Sequence, residues 1–442
     1  MELKDLFLTP LYLLLNYSIA FWIRSKVTNK ITKKYFMPAL TVKLIGAIAM
    51  GLIYQFYYSG GDTFNYYHQS KIINQAFDHS LPVGIKLLLA HGEYDPDTYS
   101  YTSRMYWYRA PTEYFIIRLA GFISLFTFNT YTVIALFFAS ISFSGMWAMY
   151  QTFFKQYPSL HKNLAIAVFF LPSVFFWGSG LMKDSITIGA LGWLYYGFYK
   201  LAIAKKSILT SFIITLVAAY VIYSVKVYVL LSFLPPALFW IFLENNRRIK
   251  SAAIRIIAKP IFIVAGLVVA YVGATTLTAG DARYDVNNLA QSTKINSDYL
   301  STYQASGSAY HIGTFDGSMG SVVKVAPQAI IVALYRPFLW EVRNPVMLLS
   351  ALEATLFIFL TIRFIFRTGL LKTFRLISSK PILTFCLVFA LVFAFGTGTN
   401  SGNFGTLVRY KIPLMPFYLA ALYIMEGYAK RPKKSVRIAT TA

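Results

Sequence analysis

Eleven runs of this chain are apolar over a length that can cross the hydrocarbon core of a bilayer, which takes about 20 helical residues. They lie at 6–22, 37–57, 131–153, 163–179, 185–203, 208–224, 227–243, 259–278, 345–366, 381–397 and 412–428. In lipid, backbone polar groups must be satisfied within a helix or a closed barrel, and continuous apolar runs select the helix. The expected fold class is therefore all-α, a polytopic integral membrane protein with about 11 transmembrane helices in one membrane domain over 1–442. A composition of 57% hydrophobic and 13% charged residues agrees, since soluble domains carry about 25% charged residues. The first run passes straight into the second with no small-residue cleavage site, so no removable signal peptide is expected. The single Cys386, inside an apolar run, leaves no disulfide framework and no thiolate metal site.

Charge is sorted across these runs. Of the 17 Asp and Glu residues, 12 fall in loops on one face, with Glu2 and Asp5 near it; Glu244 and Glu426 sit opposite, and Glu353 lies inside a run. The bases gather on the other face. They are Arg24, Lys26, Lys30, Lys33 and Lys34; Lys155 and Lys162; Lys205 and Lys206; Arg247, Arg248, Lys250 and Arg255; Arg367, Lys372, Arg375 and Lys380; and the tail Lys430–Arg437. Lys and Arg set orientation, so the basic face is expected to be cytoplasmic, the N-terminus outside and the C-terminus inside. The net charge of +24 is thereby accounted for by the membrane and its anionic lipids, with no nucleic acid among the partners.

The outer face then carries two long segments, 58–130 and 279–344, against short inner connectors, and loops this long are usually functional. The stretch 114–128 is apolar but short and holds Arg118, so it is expected to lie flat at the outer interface. The stretch 322–340, with Lys324, Arg336 and two prolines, is similar.

The first outer segment opens on Gly60-Gly61-Asp62. Asp62 at the interface could act as general base toward a hydroxyl, or cap the helix beginning at Thr63. His68 is a second acid/base group, a phosphate contact, or a solvated loop histidine. Asp95-Pro96-Asp97 has the Asp-x-Asp form that suits a divalent cation such as Mg²⁺ or Mn²⁺, against the alternative of an acidic turn. Arg104 and Arg109, among tyrosines fit for an interfacial belt or sugar stacking, could pair a lipid-linked phosphate. Lys183, at a tight turn between two runs, is either a phosphate ligand or the partner of Asp184; Lys226 repeats the arrangement on the next turn, so the two could form a cationic rim. Arg336 lies in a cluster with Glu341 and Arg343. Glu353 inside a run marks a functional or paired site, its expected partner being Arg336 or Arg409. His311 and Asp316 are further candidates in a Gly/Ser-rich stretch. Arg409 and Lys411 follow a glycine-rich turn with Asn400 and Asn403. Bases there run against the orientation bias, and they are read as substrate contacts over snorkelling side chains.

Gly61-Asp62-Thr63 with Asn65-Tyr66-Tyr67, Lys183-Asp184, Tyr335-Arg336-Pro337-Phe338, and Asn403-Phe404-Gly405 with Arg409-Tyr410-Lys411 together resemble the layout of polytopic glycosyltransferases of the GT-C type, or of the related EpsG and Wzy-like polymerases of bacterial surface polysaccharides. The resemblance covers the layout of most of the chain through short motifs. It implies a sugar transferred from a polyprenyl-phosphate or polyprenyl-diphosphate donor to a glycan or lipid acceptor outside a cytoplasmic membrane, with Asp62 as base and the Arg/Lys set on phosphate. Two departures stand out: the acidic loop follows the second run rather than the first, and Asp62 stands alone where GT-C signatures pair two acids. The alternatives are a polymerase or ligase of lipid-linked repeat units, and a transporter or flippase of lipid-linked sugars, against which the lack of an internal repeat argues.

Overall fold

The computed structural model describes residues 2–246, 289–302, 308–310, 312–313 and 316–429, with 251 and 275 as single positions. The expected run 259–278, the basic cluster at 247–255, His311 and the basic tail lie outside the described residues, apart from 251 and 275.

Among the described residues the chain is all-helical, with one isolated β-bridge between Ala309 and Asn403. In chain order the helices are α1 (Leu3–Val27), α2 (Lys33–Phe56), α3 (Asp62–His79), α4 (Leu81–Leu89), α5 (Tyr99–Thr102), α6 (Pro111–Ser124), α7 (Tyr131–Gln156), α8 (His161–Phe169), α9 (Pro172–Trp177), α10 (Lys183–Phe198), α11 (Ile208–Asn246), α12 (Leu289–Thr302), α13 (Met319–Lys324), α14 (Ala326–Tyr335), α15 (Pro345–Thr368), α16 (Leu370–Ser379), α17 (Pro381–Asn400), α18 (Phe404–Tyr410) and α19 (Met415–Ala429).

Six of the described helices are long and apolar enough to cross a membrane: α1, α2, α7, α11, the 347–368 part of α15, and α17. That is fewer than the eleven expected, for local reasons. The run 163–179 is divided into α8 and α9 at Leu171–Pro172, because proline lacks the amide a continuing helix needs. The run 185–203 is a 16-residue α10 followed by a π-turn over Tyr199–Ile203. The last run is cut to 15 residues in α19, behind a turn holding Pro413.

Two expected runs are joined in α11, whose regular dihedrals fail at Lys226 (φ −149°, ψ 76°). The halves run in opposite senses. Thr215 lies beside Gly197, Lys226 meets Asp184 at the start of α10, and Trp240 returns to Phe198 and Tyr199 at its end. The element is a hairpin with Lys226 at its tip.

The core forms around α7, which packs most closely on α10. A methyl at Gly145 would sit 1.7 Å from the Gly189 carbonyl oxygen, and one at Gly192 would sit 2.0 Å from that of Gly145. Small residues at both positions let the two backbones approach this closely, so that packing holds the helices together. Beyond α10 an aromatic cluster of Tyr195, Phe198, Phe233, Trp240, Phe385, Phe389 and Phe417 joins α11, α17 and α19.

The first long segment is folded rather than loose. Its α6 is 14 residues long, too short to span, and buries Tyr114, Ile116, Ile117 and Ala120. Arg118 donates to the Ala90 carbonyl at 2.9 Å and Tyr114 to that of Leu87 at 2.7 Å, tying α6 to the end of α4. In the second long segment α14 packs along α17, where Gly398 lets the backbone of Ala329 approach.

Candidate functional site

The chain leaves α2 through Gly60 and Gly61, both at positive φ (135° and 121°), a region open to glycine. Gly61 is the N-cap of α3 and Asp62 the first helical residue, so Asp62 does not cap the helix, and its carboxylate is directed elsewhere. It accepts from Arg409 Nη1 at 2.7 Å. Arg409, at the end of α18, also donates through Nε to Asp184 Oδ2 at 2.6 Å, and the other Asp184 oxygen takes the Lys226 ammonium. Asp62, Arg409, Asp184 and Lys226 thus form one alternating chain of charges. It is built from the starts of α3 and α10, the tip of α11 and the last turn of α18.

Burial grades along this chain. The Asp184 side chain is 1% exposed and that of Lys226 7%, whereas that of Asp62 is 42% exposed. Charges this deep persist only when paired. Asp62 is the member that faces out, and Arg409 fixes its orientation. The Lys226 ammonium also lies 4.9 Å from the Tyr410 ring centroid.

Lys183 points away from its neighbour Asp184. It donates to Thr112 Oγ1 at 2.8 Å and forms an ion pair with Glu113 on α6. The Lys183–Asp184 pair, one of the two readings of Lys183, is therefore replaced by two separate pairings. Burial pushes the Glu113 carboxyl up, but Lys183 more than offsets this and holds it below its ordinary value.

Glu353 does not reach Arg336 or Arg409, which corrects the expected partners. Arg336 is held by Glu341, with Nε at 3.0 Å from Oε2, and Arg409 by the two aspartates. Glu353, 5% exposed, accepts through Oε2 from the Ser173 hydroxyl and from the Ser173 backbone N–H at 3.3 Å. It caps the helix start that Pro172 creates between α8 and α9, supplying an acceptor to an amide left without an intrahelical partner. Its Oε1 is buried with no hydrogen-bond partner among the described residues. Lys411, 3% exposed, donates to the Arg336 carbonyl at 3.1 Å.

The other candidates lie apart from this cluster. His68 is largely exposed, its ring tilted against Phe64 and Tyr67, and partial desolvation of that ring together with nearby Lys71 lowers its pKa. Arg104 donates to Ser100 and Gln75, and Arg109 is exposed on the same loop. Asp95 and Asp97 both pair with Lys86, and the Asp97 amide donates to Asp95 Oδ1 at 2.9 Å. An ammonium thus stands where a cation bridging the two carboxylates would sit. Among the described residues no three His, Cys, Asp or Glu side chains converge. Asp316 binds Ser318 and Ser321, whose hydrogen bonds hold it far below the usual carboxylate range. Asn403 caps α18 by accepting from the Thr406 amide at 2.8 Å, and Asn400 donates to the Gly396 carbonyl.

Among the charged residues not singled out as site groups are the buried Asp184 and Lys43 and the partly buried Glu113. Lys43, 1% exposed in α2, donates to Ser142 Oγ at 3.0 Å and to the Gly178 carbonyl, tying α2 to α7 and to the end of α9. No family model, curated protein or solved structure matches the chain.

Proposed function

We propose that this chain is a membrane glycosyltransferase that moves a sugar from a polyprenyl-phosphate-type donor to an acceptor hydroxyl at the end of the bundle carrying Asp62. The observation that supports this is the convergence of Asp62, Lys183, Lys226 and Arg409, with Asp184 and Glu113, from segments far apart in sequence. A sugar phosphate already carries a good leaving group. The protein must orient an acceptor, take its proton and stabilise phosphate charge. In this reading Asp62 takes the proton, and Arg409 both aligns Asp62 and, with Lys183 and Lys226, sets the local potential felt by the departing phosphate. Asp184 keeps Arg409 and Lys226 in place. Glu353 and Lys411 shape the neighbouring interior.

Transfer of labelled sugar from polyprenyl phosphate by the protein in proteoliposomes tests the reading. Asp62→Asn is expected to lower turnover by about 10²–10⁴-fold, the usual contribution of a general base. Turnover near that of the parent would sink it. The central place of Arg409 favours a second reading, polymerisation or ligation of lipid-linked repeat units with an arginine dominating. Products longer than one added unit would select it.

A further inference from the structure

A groove of about 620 Å³ opens at the opposite end of the bundle, between α1 on one side and α7 with α10 on the other. Its floor is Phe36 and Leu40 of α2. Helix α1 touches α7 above and below it. Asn16 accepts from Ser140 at 2.7 Å at the upper end, and the Val27 carbonyl accepts from Trp147 and Gln151 at 3.4 Å at the lower end. Between these points the helices part, and the gap is bounded by apolar side chains such as Ile23 and Phe143.

The lower mouth is basic. Lys26 and Lys155 line it, both are exposed, and neither has a carboxylate within ion-pair distance among the described residues. Lys26 lies 3.4 Å from the centroid of Trp22, and Lys155 lies 5.9 Å from that of Tyr196. Tryptophan beside lysine at a helix end marks the level of lipid headgroups. An apolar slot ending in two cations that meet no carboxylate among the described residues matches one ligand chemistry: an acyl chain bearing an anionic headgroup.

We propose that this groove binds an anionic phospholipid of the surrounding leaflet, its phosphate between Lys26 and Lys155 and an acyl chain along Ile23 and Phe143. Basic pockets between transmembrane helices bind anionic headgroups in this way. The volume falls in the range of pockets that enclose most of a small ligand. A polyprenyl-phosphate donor shares the chemistry, but the groove lies at the far end of the bundle from Asp62 and Arg409. The bilayer lipid is therefore the occupant, and the assignment does not depend on the proposed transferase activity.

The test is native mass spectrometry of the purified full chain with phosphatidylglycerol, phosphatidylcholine and undecaprenyl phosphate. Phosphatidylglycerol should be retained in preference to phosphatidylcholine. Lys26→Gln with Lys155→Gln should weaken that retention about tenfold, and Ser144→Phe, which fills the apolar slot, should weaken it with both lysines intact. Equal retention of the two phospholipids would overturn the proposal. So would selectivity unchanged in both variants, or a loss confined to undecaprenyl phosphate.

Discussion

Arg409 holds two carboxylates of unequal exposure, and the difference predicts how each variant fails. Asp184→Asn leaves Lys226 and Arg409 buried beside a neutral amide, and breaking a buried pair from one side typically costs about 3–5 kcal/mol. Asp62→Asn removes a partner that faces water, for which the cost is about 1 kcal/mol or less. Thermal unfolding in detergent should therefore show Asp184→Asn strongly destabilised and Asp62→Asn close to the parent, although the proposed activity needs both. Equal melting of the two would mean the burial gradient carries no energy. Glu353 gives a second test at this scale. As a helix cap it needs only an acceptor, so Glu353→Gln should unfold near the parent, while Glu353→Ala, which strands the Ser173 amide, should cost about 1–3 kcal/mol. Asp62 and Arg409 were legible in the sequence because each stands at the mouth of an apolar run. Asp184 was not, because the sequence offers adjacent Lys183 as its one evident partner. Successive residues on a helix do not face each other, so the two side chains diverge, one to α6 and one to α18.

Breaks and close approaches decide how the helices meet. The reversal at Lys226 could be read from a lysine between two apolar runs, and Lys226 does stand at the tip of α11. Proline explains the division of α8 from α9, which a hydropathy window runs across; such a window also misses that Glu353, some 180 residues later, supplies the cap. The α7–α10 contact was not legible either, because glycine in an apolar run carries no pattern until the facing backbone is known. It yields a paired prediction. Gly145→Val pushes a branched side chain into the Gly189 backbone, and overpacking of this kind typically costs about 1–3 kcal/mol. Gly396→Ala in α17, where an added methyl meets nothing within 4 Å, should be neutral or should stabilise by up to about 1 kcal/mol. Chemical denaturation of the two variants side by side checks this. A Gly145→Val protein as stable as the parent would mean that the helices can separate at no cost.

Across the whole molecule, the Asp62–Arg409 cluster and the Lys26–Lys155 groove lie at opposite ends of one bundle. Tyr131 of α7 bonds Thr63 beside Asp62, and 24 residues further along the same helix Lys155 borders the groove whose lower lip is Val27. The Arg363–Glu426 pair and the Lys380 ammonium over the Tyr428 ring belong to segments that the charge pattern placed on the basic side. Which segments share an end was readable because it depends on composition at the ends of apolar runs, whereas the number of spans depends on breaks that composition does not register. We propose the orientation from the charge pattern, with the basic ends cytoplasmic, since Lys and Arg are retained on that side. Cysteine substitutions at Ser80 and Ser308 should then be labelled by a membrane-impermeant reagent on intact cells. Cysteines at Ser378 and Ser435 should react only after permeabilisation. The single native Cys386 is buried in α17 and adds no background. Labelling of Ser378→Cys from outside would invert the bundle, placing the Asp62–Arg409 cluster in the cytoplasm and pointing to a soluble cytoplasmic donor in place of a lipid-linked one.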